Sequence, residues 1–173
     1  RIAAEGVVSI FEKDNAFSMI EINSETDFVA KNNDFINFAE ELSKLSLSKL
    51  GVLKDVLVTN MKNNKSVNDN LVSLISKIGE KITIRRCAYI NKSNVINFSY
   101  IHAALKKNVG KLGVLLSLET SKPREEILEL GKQIAMHIAA SSPLSIDKEG
   151  IDQKTLLKEK EIIAEELKNS GKE

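Results

Sequence analysis

The spacing of apolar residues changes near Asp34, and this change limits the chain to a fold that combines strands with helices. Apolar and polar residues alternate along "GVVSIFE" (residues 6–12) and "FSMIEIN" (residues 17–23), which is typical of half-buried strands. Asp14 and Asn15 lie between these stretches and tolerate a tight turn, so the segment is predicted to form a β-hairpin. Beyond Asp34 the apolar residues recur every three or four positions, which predicts one face of a helix: Phe35, Phe38, Ala39, Leu42 and Leu45.

The rest of the chain is interpreted by the same periodicities. The patterns predict helices over 71–80, 121–141 and 152–169, a strand over 81–90, a hairpin over 100–119 with its tip at Asn108 to Gly110, and a polar surface loop over 59–70. Three helix ends are expected from the residue types: a cap at Asn33 or Asp34 for the first helix, a stop at Gly79, and a cap at Ser121.

The two halves of the chain resemble each other weakly. A shift of 96 positions carries Ile20 onto Leu116 and Ala39 onto Ala135, although chance agreement between two amphipathic patterns is the alternative. The predicted class is therefore α+β, with two similar subdomains that each pack an antiparallel β-hairpin or small sheet with helices, followed by a charged C-terminal helix. The predicted bounds are 1–97 and 98–148 for the subdomains and 149–173 for the start of a helical protrusion.

Composition narrows the functional classes. Lys and Arg total 25 against 24 Asp and Glu, a net charge of +1, so the charge favours neither nucleic acid nor an anionic membrane as a partner. The single cysteine, Cys87, cannot form an internal disulfide, and no apolar run approaches the ~20 residues of a membrane span. Sequence motifs for phosphate-binding loops and zinc sites are absent. These features predict a soluble protein of a reducing compartment, and the first residue, Arg1, indicates a fragment of a longer protein.

Few residues point to catalysis. Ser24, Asp27 and a histidine could in principle form a hydrolase triad, but no nucleophile elbow accompanies them. His102 lies in a predicted strand and is interpreted as structural. His137 lies beside the stripe of the third helix that is expected to face the core, which comprises Ile127, Leu130, Ile134 and Ile138. Met136 falls on the more polar face, so Met136 and His137 form either a docking patch or a half-buried helix edge.

The stretch "TDFV" (Thr26 to Val29) lies at the predicted corner between strand and helix. Thr26 can cap a short helix, and Asp27 in its first turn would be favoured by the helix dipole. Phe28 then has two interpretations. Its side chain is either buried in the core or exposed as an anchor for the pocket of a partner protein. The second interpretation is considered because aromatic residues supply much of the binding energy of interfaces.

Several stretches, taken together, resemble one family from end to end of the chain: "AAEGVVSI", "IEINSETDFVAKNNDF", "ISKIGEKITIRR", "GVLLSLE", "QIAMHIAASSP" and the final "SGK". The chain resembles the core domain of bacterial elongation factor Ts, the exchange factor for the GTPase elongation factor Tu. The resemblance implies two α+β subdomains. It also implies that an N-terminal helical module precedes Arg1 and that the rest of the protrusion and a returning segment follow Glu173. The loop "KKNVGK" looks longer than the family pattern.

The resemblance further implies which residues act. In the family, the Thr-Asp-Phe-Val element enters the GTPase domain of the partner near its magnesium site. Carried over, Asp27 and Phe28 would enter that domain, while Thr26 and Val29 would hold the corner. Met136 and His137 would contact another domain of the partner.

The implied function is guanine-nucleotide exchange on elongation factor Tu in translation elongation, through displacement of Mg²⁺ and release of GDP. No covalent chemistry and no cofactor are expected, so the chain is not predicted to be an enzyme. The expected partner is elongation factor Tu, both GDP-bound and nucleotide-free, with no nucleic acid and no membrane. A cytoplasmic location and a homodimer of the full-length protein are further expectations. The alternative is an interaction or dimerisation module that does not promote exchange.

Overall fold

A computed structural model describes residues 3–170, and within them six α-helices and five antiparallel strands. The elements are β1 (Glu5–Lys13), β2 (Ala16–Ser24), α1 (Asp27–Ala30), α2 (Asn33–Ser48), α3 (Leu53–Val58), α4 (Val67–Ile78), β3 (Thr83–Ile90), β4 (Val95–Lys106), β5 (Val109–Glu119), α5 (Arg124–Ser141), a 3₁₀ turn (Lys148–Gly150) and α6 (Gln153–Asn169). The α+β class predicted from the sequence is confirmed. No described helix combines the length and the apolar character that crossing a membrane requires.

The five strands form one sheet in the order β3-β2-β1-β5-β4. β1 and β2 pair along their whole lengths, and β4 and β5 form the second long hairpin. The two hairpins join where Val8 lies opposite Gly110 and Ser9 opposite Val109. Of the described residues, those up to Ala140 belong to one compact unit and those from Ser141 onward to another. The subdomain bounds 1–97, 98–148 and 149–173 stay a prediction.

The turn between β1 and β2 lies at Asp14 and Asn15, as predicted, and is anchored to β4. Asp14 takes a φ of 56°, a left-handed conformation that Asp tolerates in turns. The Asn15 side chain donates to the Val95 carbonyl at 2.8 Å and accepts from the Asn97 N–H at 3.0 Å. These bonds connect the first hairpin to the second, since the buried Asn97 amide also donates to the Asn15 carbonyl.

Helix α2 covers one face of β1 and β2. Phe35, Ala39 and Leu42 are fully buried, as the helical spacing predicted, and they belong to the same core cluster as Ile20 and Ile22. Complete burial of a Phe, Leu or Ile side chain contributes about 1.5–3 kcal/mol, and that of the Ala39 methyl group less. This packing fixes β2 and α2, the two elements on either side of the corner.

The predicted cap of α2 was wrong by one or two residues. Asn32 is the N-cap, and its side-chain oxygen accepts from the N–H groups of Asp34 at 2.8 Å and Phe35 at 3.3 Å. Asn33, one of the two expected caps, is already inside the helix. A cap must keep an extended backbone while its side chain reaches forward, and the Asn32 ψ of 133° meets that condition.

The polar segment 59–70 is shorter as a loop than predicted, because α4 begins at Val67 with Ser66 as its cap. Helix α3 was not predicted at all. Gly79 does end α4, in a left-handed conformation with φ of 81°, as its position indicated.

The tip of the second hairpin differs from the prediction, which placed it at Asn108 to Gly110. β4 runs to Lys106 and β5 begins at Val109, so the tip consists of residues 107 and 108.

Helix α5 begins at Arg124 rather than at the predicted cap, Ser121. Pro123 explains the difference, because a residue before proline is disfavoured in helical conformation. The buried face also differs from the predicted stripe. Ile127, Gly131 and Ala135 are buried, whereas Leu130 is 52% exposed.

Helix α6 of the second unit confirms the predicted charged helix. Asp152 caps it by accepting from the N–H groups of Lys154 and Thr155, each at 3.1 Å. None of the described residues of α6 is buried. Its exposed apolar side chains include Leu157, Ile163 and Leu167.

Candidate functional site

The "TDFV" stretch forms a separate single turn of helix between β2 and α2. β2 ends at Ser24, and α1 contains the four residues Asp27–Ala30. Thr26 keeps an extended backbone, and its hydroxyl accepts from the Val29 N–H at 3.4 Å, which is the geometry of an N-cap. The capping role expected of Thr26 therefore has a structural basis.

Phe28 and Val29 lie on opposite sides of this turn with respect to solvent. The Phe28 side chain is 80% exposed, whereas Val29 is 6% exposed and Ala30 is fully buried. Successive residues of a helix point about 100° apart, so a buried Val29 directs its neighbour outward. Of the two interpretations of Phe28, the structure excludes burial in the core and leaves the protruding anchor.

Asp27 forms an ion pair with Lys31 at 2.8 Å on the exposed surface of the turn. The hydrogen bond from Lys31 holds the pKa of Asp27 below its usual value, and the same contact raises the pKa of Lys31. Both side chains are about half exposed, so the pair is a weak contributor to stability. Its effect on the site is to place an ion pair beside Phe28 and to hold the Asp27 side chain against Lys31.

We expect Lys31→Met to raise the pKa of Asp27 towards the ordinary value, because the substitution removes both the hydrogen bond and the charge. Since the folded-state pKa is lowered, the contribution of Asp27 to stability is present above the ordinary pKa and is lost as the pH falls through the lowered one. NMR titration of the Asp27 carboxyl carbon measures this change. Lys54→Met on α3 is the control, and equal Asp27 pKa values in the two variants would contradict the prediction.

Ser24 and Glu80 hold the backbone of the corner, a role that the sequence did not predict for either residue. The buried Ser24 hydroxyl donates to the Thr26 carbonyl at 2.9 Å. The Glu80 carboxylate accepts from the Thr26 N–H at 3.2 Å and from its hydroxyl at 2.9 Å. The burial of Ser24 gives no support to a hydrolase, since a nucleophile must reach its substrate. No local pattern indicates these contacts; the position of Glu80 immediately after the helix stop Gly79 is the nearest signal.

An ion pair connects the first turn of α2 to α4. Lys77 of α4 pairs with Asp34 at 2.6 Å. A shallow depression lies beside the Phe28 ring, lined by Val29, Asn32, Asp34, Lys77 and Ile78. The exposed ring therefore projects from a surface that three helices hold in place.

Met136 and His137 lie near the C-terminal end of α5, in the same compact unit as the corner. The Met136 side chain is 51% exposed, and His137 is also exposed. Because Gly131 and Ala135 face inward, the neighbouring positions turn outward. Their exposure leaves both interpretations of Met136 and His137, the docking patch and the half-buried helix edge, as predictions.

A groove of about 510 Å³ lies along β1, β2, β3 and β5, with a floor that includes Val8 and Met19. Its charged side chains pair with one another: Arg86 with Glu21 at 2.5 Å, and Lys111 with Glu5 at 2.9 Å. Mutual pairing favours a structural role for these charges.

An exposed aromatic side chain, on a turn that is held by hydrogen bonds and by the burial of its neighbouring residues, is typical of a protein-binding module. The sequence model of the family described as elongation factor TS matches residues 25–173. The chain is also 40% identical over 173 residues to the proteins named elongation factor Ts of Methylorubrum populi, Methylorubrum extorquens and Xanthobacter autotrophicus. These matches cover 99% of the chain and 56% of each relative, so the chain spans about half the length of the curated relatives it matches. The chain belongs to the elongation factor Ts family, and the resemblance predicted from its motifs is confirmed.

Proposed function

We propose that this chain promotes guanine-nucleotide exchange on elongation factor Tu during translation elongation. In this proposal the corner from Thr26 to Val29 enters the GTPase domain near its magnesium site, displaces Mg²⁺ and so releases GDP. The observation that supports it most directly is the 80% exposure of Phe28 on a turn whose other apolar residues are buried. Membership of the elongation factor Ts family supports elongation factor Tu as the partner.

The physical basis is a change in the surroundings of the metal. A GTPase holds its nucleotide through backbone N–H groups and a bridging Mg²⁺, which neutralises phosphate charge. A Phe28 ring wedged between helices of the GTPase would shift the groups that position the ion. The Asp27 carboxylate, paired with Lys31, would enter beside it. Loss of Mg²⁺ then weakens the hold on GDP, with no covalent step and no cofactor in the exchange factor itself.

Linkage sets the energy that this mechanism requires. A factor that binds the empty GTPase more tightly than the loaded one must weaken nucleotide binding by the same ratio. An effect of about a hundred-fold corresponds to about 2.7 kcal/mol of coupling. One aromatic anchor in a complementary pocket can contribute about 2 kcal/mol or more, so Phe28 could provide most of it.

Met136 and His137 are proposed to contact a second domain of elongation factor Tu, whether GDP-bound or nucleotide-free. Two separate contacts on one compact unit would orient the corner before it enters, because the second contact then forms at a high effective concentration. Segment 149–173 is proposed to begin a helical protrusion that contributes to a homodimer in the full-length protein. The proposed location is the cytoplasm, where translation takes place.

Stopped-flow measurement of fluorescent GDP release from elongation factor Tu, with and without this chain, tests the proposal. We expect release to accelerate with increasing chain concentration. A stable complex with an unchanged release rate would instead identify an interaction module without exchange activity. The full-length protein is measured in parallel, because the chain spans about half of its relatives.

A further inference from the structure

All three polar groups of Thr26 are held by other side chains or by the turn itself. Its N–H and hydroxyl donate to Glu80, at 3.2 Å and 2.9 Å, and its carbonyl accepts from the Ser24 hydroxyl at 2.9 Å. The same hydroxyl oxygen accepts from Val29. Glu80 is 54 residues away in the sequence, so the contact connects the corner to a different part of the fold.

The position of Glu80 is itself fixed by the backbone on either side. Gly79 closes α4 through its N–H, which donates to the Ile75 carbonyl at 2.8 Å. Ile82, two residues after Glu80, is 3% exposed and belongs to the main core. The Glu80 backbone is therefore held on both sides, and both oxygens of its carboxylate accept from Thr26.

We infer that Glu80 is a positioning residue for the exchange site, acting through Thr26 on Phe28. A hydroxyl that donates to Glu80 turns its lone pairs towards the Val29 N–H, so Glu80 orients the cap of α1. With the cap in place, Val29 faces inward and Phe28 is presented outward. Preorganisation of this kind reduces the ordering that binding would otherwise require. The inference rests on the proposed function of Phe28.

The test uses the full-length protein with Glu80→Ala. Hydrogen bonds to charged groups are among the stronger ones, so we expect the Thr26 and Val29 amide protons to exchange about ten-fold faster in the free variant. We also expect the maximal rate of GDP release from elongation factor Tu to fall about ten-fold while the half-saturating concentration changes little, because fewer bound molecules present Phe28 correctly. Glu80→Gln, which retains one acceptor oxygen, is expected to lie between Glu80→Ala and the parent.

Glu41→Ala is the matched control, since the Glu41 carboxylate also accepts a backbone N–H, that of Lys62 at 2.8 Å, but on a different loop. It should leave both measurements unchanged. A Thr26→Ala background should remove most of the effect of Glu80→Ala, because the two residues act as one unit. The inference is overturned if Glu80→Ala and Glu41→Ala behave alike. Should Phe28→Ala leave GDP release unchanged, the proposed function fails, whereas amide exchange still decides whether Glu80 holds the corner.

Discussion

Phe28→Ala is expected to slow the release of GDP from elongation factor Tu by about thirty-fold, the equivalent of about 2 kcal/mol, while leaving the fold intact. The side chain is 80% exposed, so its removal takes almost nothing from the core. Exposed substitutions of this kind usually change stability by less than about 0.5 kcal/mol. The ring would be buried in the complex, where losing an aromatic anchor costs about 2 kcal/mol or more.

Stopped-flow measurement of the release of fluorescent GDP from elongation factor Tu, promoted by the full-length protein, tests this effect. The Tm from thermal unfolding shows whether the variant is folded. Val58→Ala provides the matched control, because Val58 ends α3 and is 69% exposed. Both variants should unfold near the temperature of the parent, and only Phe28→Ala should lose exchange. Release at the parental rate by a folded Phe28→Ala variant would rule out the wedge.

The parts of the fold that depend on local pattern could be predicted from the sequence. Alternation located β1 and β2, and a spacing of three or four located the buried face of α2. The left-handed stop at Gly79 followed from residue type. The turn at Asp14 and Asn15 could be predicted for the same reason, because a short polar side chain lowers the cost of positive φ.

Contacts between distant segments could not be predicted. The stripe expected on α5 included Leu130, yet the helix is rotated so that Gly131 faces the core. A Cβ at Gly131 would lie 2.6 Å from carbon atoms of the Phe98 ring, so only glycine permits this approach. The long-range bond between Glu80 and Thr26 was missed for a similar reason. This bond forms only because the C-terminal end of α4 lies close to the end of β2. Periodicity and capping rules do not predict the distance between two such elements.

The exposure of Phe28 shows the limit most clearly. A capped turn with a buried aromatic and one with a protruding aromatic have the same local signals. The choice depends on whether Val29 or Phe28 fits the space under the turn. Val29 fills it beside Ala30, so the larger side chain is displaced to the surface. The family resemblance favoured the protruding form, and packing explains it.

Gly6→Ala is expected to lower the free energy of unfolding by about 3 kcal/mol or more, the largest stability effect among the glycine substitutions considered. Gly6 has a φ of 144°, and a Cβ there would lie 2.1 Å from the carbonyl oxygen of Ile22 on the paired strand. Because that atom is backbone, relief requires β1 and β2 to separate. Gly6 lies opposite Asn23, so the separation would occur just before the strand enters the corner.

Gly113→Ala distinguishes a clash with backbone from a clash with a side chain. A Cβ at Gly113 would lie 2.6 Å from Met19 Sδ, but a methionine side chain can change rotamer, so we expect a loss of about 1 kcal/mol. For a chain of this size, about 3 kcal/mol corresponds to a fall in Tm of roughly 6–12 °C, against roughly 2–4 °C for the control. Thermal unfolding measures the Tm of both variants, and urea unfolding measures their free energies of unfolding. A Gly6→Ala protein that unfolds at the same urea concentration as Gly113→Ala would show that the hairpin absorbs the new Cβ, and the strand leading to Phe28 would then be less rigid than its pairing with β1 implies.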